Sequence, residues 1–176
     1  MLNIENSLIL MIDMQEKLVK ATNAEQEVSQ AEKLISAAKI LNIPMFVSEQ
    51  YPKGLGFTLD CLKNDKQKYF EKTSFSIVKE NNFLETLKTY ARPQIILFGI
   101  EAHICVYQTA MDLLKEGYEV YLVKDACKSR KDFEFGTGIE LMRQEGVKIT
   151  CLEIVLFELL QSSKNPNFKE IQNLIK

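Results

Sequence analysis

QIILFGIEAHICVYQTAMDLLKEG, residues Gln94 to Gly117, changes its periodicity halfway along. Ile95, Ile96, Leu97 and Phe98 form an unbroken apolar run, with Pro93 ahead and Gly99 just after, the pattern of a parallel strand covered on both faces. Val106, Ala110, Leu113 and Leu114 then recur at helical spacing, and Gly117 follows as a stop. The turn between them is Gly99-Ile100-Glu101-Ala102-His103-Ile104, and Cys105 opens the predicted helix. A thiol at that place faces unpaired backbone N–H groups and the positive end of the macrodipole, both of which favour the thiolate. Taken alone, Cys105 reads equally as a buried structural thiol, because free cysteines are among the most buried residues.

Working outward, the same alternation repeats. Ser7–Ile12 (SLILMI) reads as a buried strand ended by Asp13. Val28, Ala31, Leu34, Ile35, Ala38 and Leu41 space an amphipathic helix over residues 25–41. Residues 44–48 form a second strand, 49–59 a loop punctuated by Pro52, Gly54 and Gly56, 68–72 a short third strand, and 81–90 a helix ended by Arg92-Pro93. Beyond the central unit come strand 119–124, helix 132–145, strand 148–151 and helices 153–161 and 167–175. Alternation at this spacing implies βαβ units with right-handed crossovers. The expected fold is α/β: three α/β/α layers around a Rossmann-like, doubly wound parallel sheet of about six strands, with residues 1–176 as a single domain.

Composition narrows the function. The chain carries 22 Lys and Arg against 24 Asp and Glu, a net charge of -2. That leaves no electrostatic footprint for nucleic acid and no polybasic run for an anionic membrane. The first fifteen residues lack a basic lead and are interrupted by Asp13, so they read as a strand and not a signal peptide. No apolar run approaches the ~20 residues a membrane-spanning helix needs. Cys61, Cys105, Cys127 and Cys151 show no CxxC spacing, which suits reduced thiols and a cytoplasmic protein. His103 is the only histidine, so multi-histidine metal sites are excluded.

In open parallel sheets, ligands bind at the carboxyl ends of the strands, where strand order reverses. Asp13 ends the first strand and Cys105 follows the fourth; in a doubly wound order these strands are neighbours. Lys72 ends the third. A carboxylate can take the thiol's proton, and an ammonium lowers the thiol pKa and stabilises its anion. Singly, Asp13 reads as a helix cap and Lys72 as a surface charge.

Together, LILMIDMQ with Asp13, KTSFS with Lys72, and GIEAHICVYQTAMDLLKEGYEVYLVKDACKSR around Cys105 resemble the isochorismatase-like cysteine hydrolases. The likeness reaches the tail NPNFKEIQNLIK and is nearest to the subgroup of isochorismatase domain-containing proteins. The resemblance implies an Asp13, Lys72 and Cys105 triad, and a cis peptide between Ile100 and Glu101 that lets the amides of Glu101 and Cys105 form an oxyanion hole. Nicotinamidases resemble this fold but carry an Asp-x-His metal site after the second strand. Here that place reads Ser48-Glu49-Gln50, so no metal and no other cofactor are expected. Many relatives have Asp two residues before the cysteine; this chain has His103, for which a structural or rim role is expected. Isochorismatase proper cleaves a vinyl ether without the nucleophilic cysteine, so Cys105 points to acyl transfer at a C–N bond.

The expected activity is hydrolysis of a small amide or carbamoyl compound through a thioester on Cys105. An oligomeric scaffold or binding protein that keeps the triad with little turnover is the alternative. Leu18, Tyr51 and Phe75 follow strand ends and are candidate pocket walls. Ile154, Val155, Phe157, Leu159 and Leu160, with Phe168, Ile171, Leu174 and Ile175, predict an apolar C-terminal patch and hence a homodimer or larger homo-oligomer.

Overall fold

The computed structural model describes residues 1–176. Six strands, β1 Ser7–Ile12, β2 Met45–Gln50, β3 Gln67–Lys72, β4 Gln94–Ile100, β5 Glu119–Lys128 and β6 Lys148–Thr150, form one open sheet in the order β3-β2-β1-β4-β5-β6. Every pairing is parallel. Eight helices connect them: α1 Glu16–Thr22, α2 Glu25–Leu41, α3 Pro52–Leu55, α4 Phe83–Thr89, α5 Tyr107–Lys115, α6 Asp132–Gln144, α7 Leu152–Leu160 and α8 Phe168–Asn173.

Every residue of β1 and β4 is buried, so both pleat faces of the central strands are covered by helices. Each fully buried aliphatic side chain there contributes about 1.5–3 kcal/mol by leaving water. On α2 the residues expected to face the core do so: Ala31, Leu34, Ile35, Ala38 and Leu41 are buried. Phe46 of β2 packs on Phe70 of β3 with ring centroids 5.2 Å apart, and Phe83 of α4 closes on Phe70 edge-on at 5.2 Å. This aromatic cluster anchors the outer strand that carries Lys72. The chain order reverses between β1 and β4, so the carboxyl ends of these two strands open the cleft where such sheets bind ligands.

Three expectations need correction. Helix α1 falls in a stretch with no predicted element. It is under two turns long and buries only Val19 and Thr22, too few positions to register as a period. Strands β2 and β5 continue to Gln50 and Lys128, past their apolar runs, because polar residues at strand ends build the cleft. The C-terminal patch is mostly interior: Val155, Leu159, Leu160 and Ile171 are buried, and Phe168 packs on Phe157 at 6.3 Å. Only Ile154 and Phe157 among those residues stay exposed. No helix is long and apolar enough to cross a membrane.

Candidate active site

Asp13 is the first residue beyond β1, with φ 51° in the left-handed region that Asp tolerates better than most side chains. Its amide donates to the Ser48 carbonyl at 3.1 Å. Beside it, Gly99 has φ 135°, and a Cβ there would stand 2.1 Å from the Ile12 carbonyl oxygen. Only glycine lets β4 press this closely against the end of β1.

The side chains of Asp13 and Lys72 are wholly excluded from solvent, and Lys72 Nζ donates to Asp13 Oδ2 at 2.6 Å. Ser48 Oγ donates to the other carboxylate oxygen at 2.7 Å, and Lys72 Nζ also donates to Gln50 Oε1 at 2.6 Å. Gln50 and Lys72 are register partners on adjacent strands, which explains why β2 runs on to position 50. Gln15 extends that edge: its Oε1 accepts from the Gln50 amide at 2.7 Å and its Nε2 donates to the Gln50 carbonyl at 3.0 Å. Glu80 holds the turn after Lys72 by accepting from the Ser74 and Thr73 amides at 2.8 and 2.9 Å. Those amides, Ser74 first, hold its carboxyl below the usual range. Nothing in the sequence marks Ser48, Gln50 or Glu80 as site residues, and the Asp-x-Gln spacing of Asp13 and Gln15 is a weak signal for Gln15.

Cys105 lies inside a π-helical turn, Ala102–Val106, that precedes α5 and does not open that helix. It is 7% exposed, and its Sγ is 3.9 Å from Gln50 Oε1. The surroundings of the thiol run against the low pKa expected from the helix start and Lys72. Burial, and next the charge of Asp13, push the Cys105 thiol up to about 12 against the opposing pull of Lys72. Burial also raises the Asp13 carboxyl, while the charge and hydrogen bond of Lys72 and the bond from Ser48 draw it back. The thiol thus stands beside a carboxyl that Lys72 holds at 2.6 Å, an arrangement in which the proton can leave sulfur as sulfur attacks. Cys127 is likewise pushed to about 12 by complete burial.

The peptide bond between Ile100 and Glu101 is cis. The Glu101 amide donates to no acceptor within the chain, whereas its carboxylate accepts from the amide and the Nε of Arg130. His103 turns toward α6: its Nδ1 is 2.9 Å from Ser129 Oγ and its Nε2 3.5 Å from Glu134 Oε2. No hydrogen bond joins it to Cys105. Leu18 is half-buried on α1 and packs on the core. Tyr51, 56% exposed, lines a depression of about 250 Å³ together with Lys72, Thr73 and Glu80. Phe75, three residues past Lys72, is 53% exposed. Of the three wall candidates, Tyr51 shares that depression with Lys72. At the place where the sequence was compared with an Asp-x-His metal site, Ser48 and Gln50 present a hydroxyl and an amide engaged with Asp13 and Lys72.

Residues 7–154 match the family model described as the Isochorismatase domain. The isochorismatase domain-containing protein 2 of Danio rerio is 44% identical over 99% of this chain and 89% of its own length. Among solved structures, the MAR1 ribonuclease from Caenorhabditis elegans superposes with a TM-score of 0.94 at 39% identity, covering 99% of this chain and 91% of that one. The YcaC gene product of Escherichia coli, described as an octameric hydrolase of unknown specificity, reaches a TM-score of 0.90 at 20% identity, covering 99% and 94%, a likeness of fold alone. The chain belongs to the isochorismatase family.

Proposed function

We propose that the chain hydrolyses a C–N bond in a small amide or carbamoyl compound through a thioester on Cys105. The buried Asp13–Lys72 pair with the Cys105 thiol beside it supports this reading most directly. In this scheme Asp13 takes the thiol proton as sulfur attacks the carbonyl carbon, and the carbonyl π pair moves to oxygen. Lys72 steadies the developing charge, and the amides of Glu101 and Cys105 donate to the oxyanion. Collapse expels the amine, which takes its proton from Asp13. Water, deprotonated by Asp13, then attacks the thioester; the acid departs and the thiol is restored. Net, one amide and one water give one acid and one ammonia or amine.

Ammonia release across a panel of small primary amides and carbamoyl compounds, with intact-mass detection of an acyl adduct, tests the reading. Neither ammonia nor adduct anywhere in the panel would leave the binding scaffold as the better account. The 39% identical C. elegans neighbour, described as a ribonuclease, favours RNA cleavage as a second reading. The net charge of -2 opposes it. RNA cleavage by the wild type that disappears in Cys105→Ala would establish that second activity.

A further inference from the structure

We infer that Arg130 is a positioning residue for the nucleophile turn, acting through the Glu101 carboxylate to hold the Glu101 amide. The chemical consequence presupposes the acyl transfer proposed above, whereas the positioning stands on geometry. Glu101 is the first residue beyond β4, and its side chain is 8% exposed. Its carboxylate accepts from the Arg130 amide at 3.0 Å and from Arg130 Nε at 3.1 and 3.0 Å on its two oxygens. Arg130 reaches it because Cys127 and Lys128, at the end of β5, are register partners of Gly99 and Ile100. The connection from β5 into α6 is thereby laid alongside the turn.

A second fastening sits next to the first. Ser129, 1% exposed, meets His103 Nδ1 at 2.9 Å. Gly138 lets α6 close over the same residue, since a Cβ at that position would stand 2.9 Å from His103 Cα. Consecutive residues 129 and 130 thus grip turn residues 103 and 101, two and four places before Cys105. The guanidinium is 56% exposed, so the ion pair itself adds little to stability. The Nε–H, shared by both carboxylate oxygens beside the bond from the Arg130 amide, does fix direction, which a point charge would not. Direction matters here because the Glu101 amide donates to nothing in the chain, and a free donor stabilises an oxyanion only when it is held in place beforehand.

Three measurements on the full chain test this, comparing wild type with Arg130→Gln and Arg130→Lys. Hydrogen exchange of the segment 99–106 reads the turn without reference to chemistry. Reversible binding of butyraldehyde reads the oxyanion donors: the thiol adds across the carbonyl, a C–S bond forms, and the carbonyl oxygen gains the thiol proton by way of Asp13. Alkylation of Cys105 by iodoacetamide, a direct displacement at carbon, reads the thiol without an oxyanion. In Arg130→Gln, exchange within 101–105 should rise about tenfold or more while β1 and β2 stay unchanged. Aldehyde affinity should fall about ten- to a hundredfold, with alkylation within about twofold of wild type. Arg130→Lys, which keeps the charge and loses the Nε–H that both carboxylate oxygens share, should lie between, and it decides the matter if Arg130→Gln fails to fold.

Unchanged exchange would overturn the inference. So would aldehyde affinity and alkylation falling by one common factor, because Arg130 would then support the thiol and not the amide. If exchange rises but even the wild type takes up no aldehyde, the acyl-transfer reading falls and the positioning role stands.

Discussion

Lys72 Nζ lies 2.6 Å from Asp13 Oδ2, and neither side chain touches solvent although 59 residues separate them along the chain. Removing one member of such a pair leaves an uncompensated buried charge, which costs about 3–5 kcal/mol. The penalty in Lys72→Met should depend on pH in a definite sense. Without its partner the Asp13 carboxyl is raised further in the folded state than in the unfolded chain. A raised carboxyl supports folding below its unfolded value and withdraws that support as pH rises. The deficit of Lys72→Met should therefore be small near about pH 4.5 and fully developed near about pH 7.5. Urea unfolding at both values measures it, and an equal deficit at both would refute the prediction.

Gly99→Ala should be more damaging than its size suggests. The added methyl carbon would meet the Ile12 carbonyl at 2.1 Å, at a φ of 135° that side chains rarely adopt. Strain and overpacking together predict a loss of about 3 kcal/mol or more, with Asp13 displaced. Thermal unfolding showing less than about 1 kcal/mol would mean that β1 and β4 do not approach this closely in solution.

Asp13→Asn, Lys72→Ala and Cys105→Ala should each lower kcat/KM by about a thousandfold on any amide that proves to be a substrate. The proposed scheme has the three residues act as one unit, so double variants should be hardly worse than singles. Losses that multiply would argue for independent roles.

A homo-oligomer remains the expectation, with its interface moved. Phe133, 84% exposed, and Leu141, 42% exposed, lie eight residues apart on α6 and so share a face, whereas the C-terminal helices pack inward. Light scattering should give a multiple of 20.2 kDa that Phe133→Ser reduces. A mass equal to one chain would refute it. Truncation after Gln161 should lower the melting temperature, since Ile171 is fully buried.

The sheet was legible because strands buried on both faces write continuous apolar runs: residues 7–12 and 95–98 could hardly be anything else. The resemblance to known hydrolases singled out Asp13, Lys72 and Cys105, and the structure sets their side chains around Gln50: Lys72 bonds both Asp13 and Gln50, and Cys105 Sγ is 3.9 Å from Gln50 Oε1. What the sequence concealed was the polar support. Ser48 looks like an ordinary strand end and Gln50 and Glu80 like loop residues, since hydrogen bonding to a partner distant in sequence leaves no periodicity. The thiol's electrostatics were also misread. A helix start and a lysine argue for a thiolate, whereas burial and the Asp13 charge argue against it, and the balance between them is set by packing that one dimension does not show.

That reversal makes proton transfer from Cys105 to Asp13 the central claim, and the pH dependence of Cys105 alkylation tests it most directly. If Asp13 holds the proton while sulfur reacts, thiol with carboxylate and thiolate with carboxylic acid interconvert without exchange with solvent. The rate of iodoacetamide labelling at Cys105, followed by peptide mass spectrometry, should then be nearly flat from about pH 6 to about pH 8. In Asp13→Asn it should rise about tenfold per pH unit across that range, as a thiol far below its own pKa does. A wild-type profile as steep as that of Asp13→Asn would contradict the account.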